Sequence, residues 1–174
     1  LRERARAERR LRDARDLLIA ATLSPDPVLY IDDRWLYGQK EDLPPPSDLD
    51  LNKIGNQILR EGSDVTLAGC SWATLLNLQA ADALAGNGIS AEVVDCRILN
   101  PFDRGPLVNS VANTGRLLAV DGSWATCGMS AEILASAVEG VAPAAWKSTP
   151  KRIALADSPA PTSAPLEKLY YPNV

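Results

Sequence analysis

Hydrophobic and polar positions follow two different rhythms along this chain. From residue 1 to about Leu23 the apolar residues Leu11, Ala14 and Leu18 recur at helical 3/4 spacing, and Ser24-Pro25 is a stop signal. Pro27-Val-Leu-Tyr-Ile31 then predicts a short strand. The stretch 38–50 contains Pro44, Pro45 and Pro46 in succession, which can join neither a helix nor a central strand, so it reads as a semi-rigid linker.

Beyond the linker the rhythm switches regularly between strand and helix. Val65-Thr-Leu-Ala68 is a β-type run, and Ser71 stands where it can cap a helix with Trp72, Leu75, Leu76 and Leu84 on one side, ended by Gly86-Asn-Gly88. Ala91 to Ile98 is the next strand, Pro101 and Asp103 open a helix through Val108 and Val111 that stops at Gly115, and Arg116 to Val120 is a third strand. The turn 121–128 leads into a helix over Ser130 to Glu139 with Ile133, Leu134, Ala137 and Val138 inward, finished by Gly140 and Pro143. Arg152 to Ala156 is a further strand, followed by a tail carrying Pro159, Pro161 and Pro165. Strand centres about 25–35 residues apart match right-handed βαβ crossovers, so the fold class is α/β: a mostly parallel sheet with helices on both faces, three layers in all. In such sheets ligands and partners meet the carboxyl ends of the strands. Here those ends carry Cys70, Asp95 with Cys96, Asp121 with Ser123, and Asp157 with Ser158.

Composition narrows the chemistry. The chain has 174 residues, 46% hydrophobic, but 25 are alanine and only 5% are aromatic, so the core comes from aliphatic strands and close-packed small helix faces. There is no histidine, which removes Ser-His-Asp and Cys-His units, histidine metal sites and imidazole acid/base chemistry from these residues. The net charge of −4 divides unevenly: seven Arg against four acids give the first 16 residues +3, which leaves −7 for the rest. An acidic body argues against nucleic acid as partner. The basic N-terminus interleaves its signs, as in Glu8 with Arg12, and reads as a solvated helix rather than a targeting signal. No stretch approaches the roughly 18 apolar residues of a membrane span. Three cysteines in no clustered motif suggest a reducing, cytoplasmic location.

Candidate chemistry is sparse. Gly86-Asn-Gly88 follows a helix and precedes a strand, the reverse of a dinucleotide fingerprint, and no GxxxxGK[ST] segment is present. Cys70, Cys96 and Cys127 lie along the carboxyl edge but lack metal-ligand spacing, so they read as small hydrophobes. Asp95, Asp121 and Asp157 fit acceptors for loop amides or caps of the following helix better than an acid/base pair. Trp124, in a turn rather than on an inward helix face, reads as a surface anchor. No catalytic, cofactor-binding or metal residue is assigned.

Several segments resemble the C-terminal domain of transketolase-type thiamine enzymes, in particular the beta subunit of the decarboxylating component of 2-oxoacid (pyruvate, branched-chain and acetoin) dehydrogenases. They are Leu59 to Leu67, Gly88 to Asp95 with Cys96 to Asp103, Thr114 to Val120, Gly128 to Ile133, and Pro165 to Lys168. Upstream, Asp16 to Ala21, Asp26 to Ile31 and Leu36-Tyr37 are similar to the last helix and strand of the family's pyrimidine-binding domain, with Asp32 and Arg34 where the family has Glu and Lys. The resemblance implies a five-stranded sheet in a transketolase C-terminal-like domain over 51–174, after a linker (38–50) and a remnant of the pyrimidine-binding domain (1–37). It implies a role in oxidative decarboxylation of a 2-oxo acid with acyl transfer to lipoyl, in which this chain alone is inactive. Thiamine diphosphate and Mg belong to the assembled enzyme, not to this chain. The implied partners are an alpha-type subunit, a second beta subunit and an acyltransferase core, in a homodimer or hetero-oligomer. The implied contact residues are Trp124, Cys127, Gly128, Met129 and Glu132 at one segment, and Asp157, Glu167 and Val174 along the tail. Two positions depart from the family pattern: Cys127-Gly128 replaces Gly-Gly, and Gly122 replaces the second acid of Glu-Glu. Two other readings use the same fold, a stand-alone interaction or regulatory module and one half of a split transketolase-like enzyme.

Overall fold

The computed structural model describes residues 2–38, 40 and 42–174, and side chains from Arg12 onward. The chain forms two compact units, Leu1–Gly55 and Asn56–Val174. The Glu8 with Arg12 pairing and the contribution of Leu11 lie outside the described side chains.

The first unit is built on helix α1 (Arg2–Leu23). Proline carbonyls remain good acceptors although the residue has no N–H. Arg15 uses this: its Nη1 donates to Pro44 O at 2.6 Å and its Nη2 to Pro45 O at 3.4 Å. Asp16 accepts from Arg15 Nε at 2.7 Å and from the Ser47 amide at 3.2 Å, and also from the Ser47 hydroxyl. The proline segment is thereby stitched to α1. Tyr30 donates to Ala14 O at 2.9 Å. The strand expected over 27–31 does not form: among the described residues nothing pairs with it, and Leu29 and Ile31 stay exposed. A β-type sequence without a ladder partner is only an extended segment.

The second unit holds strands β1 (Gln57–Arg60), β2 (Val65–Gly69), β3 (Ala91–Asp95), β4 (Leu117–Trp124) and β5 (Lys151–Leu155), in spatial order β1-β3-β2-β4-β5. β1 is antiparallel to β3, and the other pairings are parallel. Helices α2 (Trp72–Ala85), α3 (Gly105–Thr114), α4 (Met129–Gly140) and α5 (Ala164–Tyr170) complete it. Strand alternation divides the core between two faces. Leu67 and Val93 pack with Leu78 and Ala81 of α2, whereas Ala68, Val94, Leu117 and Ala119 pack with Leu107 and Val111 of α3 and Ile133 and Ala137 of α4. This is the expected three-layer α/β/α arrangement with a five-stranded, mostly parallel sheet.

Several boundaries differ from the sequence reading. β1 and α5 are additional. α3 begins at Gly105, where Asp103 Oδ1 accepts the Gly105 amide at 3.0 Å and a proline occupies the first turn. Ser71 precedes α2 but makes no capping bond with its side chain. Val138 points outward at 56% exposed, because the buried stripe of α4 runs through Ile133, Ser136 and Ala137. β4 reaches four residues beyond Val120, so Trp124 ends a strand opposite Leu155 rather than lying in a turn. Gly115 closes α3 with φ +71°, the left-handed conformation that glycine adopts most cheaply.

Candidate functional site

The carboxyl edge of the sheet concentrates most of the singled-out residues, and the turn from β4 to α4 is its most constrained part. Asp121 is buried, and its carboxylate serves both ends of that turn. Oδ1 accepts from the Ser123 amide at 2.9 Å and the Ser123 hydroxyl at 2.7 Å, while Oδ2 accepts from the Ser130 amide in the first turn of α4 at 2.7 Å. A carboxylate at a helix N-terminus supplies an acceptor that the orphan amides lack. Gly128 fits only without a side chain: a Cβ there would lie 2.2 Å from Trp124 O and 2.8 Å from Asp121 Oδ2. Cys127 takes φ +60° just before it and is exposed. The departure from Gly-Gly therefore puts a side chain in a left-handed position.

Helix α5 reaches the end of β4 through Tyr170. Tyr170 OH accepts from the Trp124 indole Nε1 at 3.0 Å and donates to Ser158 O at 2.7 Å. The ring of Tyr171 meets that of Tyr170 edge to face at 5.1 Å. Asp157 accepts from Thr126 Oγ1 at 2.6 Å, and Arg152 Nη1 donates to Ala125 O at 2.8 Å. Trp124 is thus held by its polar end while remaining 53% exposed.

Of the eight contact residues implied by resemblance, Trp124, Cys127, Gly128 and Asp157 belong to this cluster. Met129 instead packs against the α3/α4 core. Glu132 is exposed on α4 and accepts from Ser136 Oγ at 3.3 Å. Glu167 sits in the first turn of α5, where its carbonyl accepts the Tyr171 amide at 3.0 Å, and Val174 is exposed at the end. Tyr170 is the residue that sequence reading missed. Its signal was Ser163 before Pro165, a helix start, with Leu166, Leu169 and Tyr170 at 3/4 spacing.

At the other strand ends, Thr74 Oγ1 donates to Asp95 Oδ1 at 2.8 Å, and Cys96 is fully buried. Asp95, Asp121 and Asp157 are each engaged by donors of this chain. Among the described residues no group of three or more His, Cys, Asp or Glu can hold a metal ion.

A five-stranded sheet of order β1-β3-β2-β4-β5 with one antiparallel edge and helices on both faces is an open α/β domain. The family model described as transketolase, C-terminal domain, matches residues 56–174, and the chain belongs to that family. It is 40% identical over 168 residues to the mitochondrial pyruvate dehydrogenase E1 component subunit beta-2 of Oryza sativa subsp. japonica, covering 93% of this chain and 44% of the relative. The mitochondrial beta-1 subunit of Arabidopsis thaliana is likewise 40% identical, over 93% of this chain and 45% of the relative. The acetoin:2,6-dichlorophenolindophenol oxidoreductase subunit beta of Cupriavidus necator is 35% identical over 92% of this chain and 47% of its own length. The chain spans less than half the length of these relatives. Among solved structures, a split gene transketolase in an inactive beta4 tetramer superposes with a TM-score of 0.56 at 29% identity, covering 66% of this chain and 36% of that one.

The comparisons correct the cytoplasmic location expected from the cysteines. The rice, Arabidopsis and pea relatives are mitochondrial proteins. Three cysteines outside any clustered motif argue against a disulfide framework but do not tell one compartment from another.

Proposed function

We propose that residues 51–174 act as the C-terminal subunit-contact domain of a thiamine-diphosphate-dependent 2-oxoacid dehydrogenase beta subunit. In this reading residues 1–37 are the end of the preceding pyrimidine-binding domain and 38–50 is the linker. The reaction served is oxidative decarboxylation of a 2-oxo acid with acyl transfer to lipoyl, and the catalytic groups and cofactor come from outside these residues. The partners are an alpha-type subunit and a second beta subunit, with the acyltransferase core meeting the tail.

The observation that carries this reading is the held but exposed Trp124. An aromatic side chain whose polar end is tied to Tyr170 loses little further freedom on docking, and such aromatics dominate binding energy at interfaces. Leu166 and Leu169 of α5 add exposed apolar surface. The contact role of Cys127, Gly128, Met129, Glu132, Asp157, Glu167 and Val174 is part of the proposal. Met129 and Gly128 contribute by shaping the turn from within, Cys127, Glu132, Asp157 and Val174 by facing solvent, and Glu167 from a half-buried position.

Calorimetry of the chain with thiamine diphosphate and Mg, together with a pyruvate decarboxylation assay, tests it: neither binding nor turnover is expected. Tight binding or turnover by the chain alone would overturn the assignment. The split transketolase structure favours a second reading, half of a split transketolase-like enzyme. A stoichiometric partner consisting of a pyrimidine-binding domain, rather than an alpha-type subunit, would select it.

A further inference from the structure

A second feature of the carboxyl edge stands apart from the contact surface. Strands β2 and β3 are parallel neighbours with Gly69 opposite Asp95, and the Cys96 amide donates to Gly69 O at 2.8 Å. Cys70 and Cys96 are the next residues after that pair. The ladder therefore sets them side by side, with Cα atoms about 5 Å apart at ordinary strand spacing. A disulfide bridges Cα separations of about 4.4–6.8 Å. Alternation also puts both on one face of the sheet. Cys96 lies in the core with Ala68, Val94, Leu107 and Val111, and Cys70 packs against the same cluster. Burial first, and then the charges of Cys70 and Asp95, push the Cys96 thiol far above its usual range. Cys70 is partly exposed and Cys96 is buried, so an oxidant reaches one sulfur and the fold supplies the other.

We propose that Cys70 and Cys96 form a reversible disulfide across the ends of β2 and β3 when the protein meets a peroxide. The Cys70 thiolate attacks one peroxide oxygen and the O–O bond breaks. The departing hydroxide takes up a proton to give water, and Cys70 becomes a sulfenic acid. The Cys96 sulfur then gives up its proton and attacks the Cys70 sulfur. The S–O bond breaks, and the leaving hydroxide becomes the second water. Two thiols and one peroxide become one disulfide and two waters, the sulfurs losing the two electrons that the peroxide gains. Because Cys96 ionises reluctantly, the second step is slow near neutral pH and quickens by up to about tenfold per pH unit. The bridge closes a loop containing α2 and β3, which restrains the unfolded chain and raises the thermal midpoint.

Peptide mapping tests this on the whole chain. After hydrogen peroxide treatment, denaturation and alkylation, trypsin cleaves after Arg60 and Arg97 and leaves both cysteines on one peptide, with Cys127 on another. The expected result is that the peptide Glu61–Arg97 loses about 2 Da and takes no label, and that dithiothreitol restores two labels. In Cys70→Ser, Cys96 stays fully labelled after the same treatment. The inference is overturned if either thiol of the native chain remains alkylable once Cys127 is fully oxidised. It is also overturned if Cys70 advances to sulfinic acid beside reduced Cys96, or if Cys70 pairs with Cys127. Should the variant fail to fold, the wild-type peptide decides the matter by itself.

Discussion

The β4–α4 turn depends on single atoms. Gly128 has no room for a Cβ, because Trp124 O would lie 2.2 Å from it and Ser123 Oγ 2.7 Å. Gly122, six residues earlier in the last part of β4, has nothing within 4 Å of the corresponding position. Gly128→Ala should therefore cost about 3 kcal/mol, the scale of backbone displacement in a packed site, and Gly122→Ala less than about 0.5 kcal/mol. Urea unfolding of the two variants checks this, and equal midpoints would contradict the geometry. Sequence reading found Asp121 at a strand end and expected it to accept loop amides. Its acceptance of the Ser130 amide in the first turn of α4 is the helix-capping role expected of a strand-end acid, while the path between them is set by the left-handed turn at Cys127. Asp16 makes a pH-dependent case. The Arg15 guanidinium, helped by Ser47, holds its carboxyl below the usual carboxylate range. A depressed folded pKa gives stability that is complete above the ordinary value of about 4 and is lost as pH falls through the depressed one. Circular dichroism of α1 during acid titration should show this loss, and Asp16→Asn should remove that portion of the acid dependence.

Elements with a covered face were the ones the pattern revealed. β2, β3, β4 and β5 are found within a few residues because each contributes aliphatic side chains to a parallel ladder, and α2 and α4 because their apolar stripes cover the sheet. The misses share a cause: their structure depends on neighbours rather than on local rhythm. Residues 27–31 have a strand's composition but no ladder. β1 is four residues long and exists through its antiparallel pairing with β3. α5 is short and opens with a proline, which as a breaker reads opposite to its use in a first turn. The sheet makes a sharp contrast between centre and edge. Val94 is fully buried in β3, whereas Ile153 on the edge strand β5 is 45% exposed. Val94→Asp places an unpaired charge in the core at a cost of several kcal/mol, a large part of a total stability of about 5–15 kcal/mol, and should abolish soluble expression. Ile153→Asp should remain soluble and folded. Expression and circular dichroism of both test the layering, and a soluble, folded Val94→Asp would sink it.

At the scale of the molecule, the chain belongs to the transketolase C-terminal domain family, and its strand-end carboxylates Asp95, Asp121 and Asp157 are engaged by local donors. Motif order along the chain was enough to read the family from sequence. The Trp124–Tyr170 pair is only half legible in the sequence, because the pattern singles out Trp124 while Tyr170, its hydrogen-bond partner, lies 46 positions away. The acidic body, carrying −7 after the first 16 residues, makes a basic partner surface the favourable counterpart. Native mass spectrometry of the chain mixed with an alpha-type dehydrogenase subunit reads the proposed subunit contact without an activity assay. A stoichiometric hetero-complex is expected, dissociating at least about tenfold more readily in Trp124→Ala, the loss expected of an interface anchor. A stable homodimer that takes up no alpha-type subunit, with Trp124→Ala indistinguishable from the native chain, would contradict it.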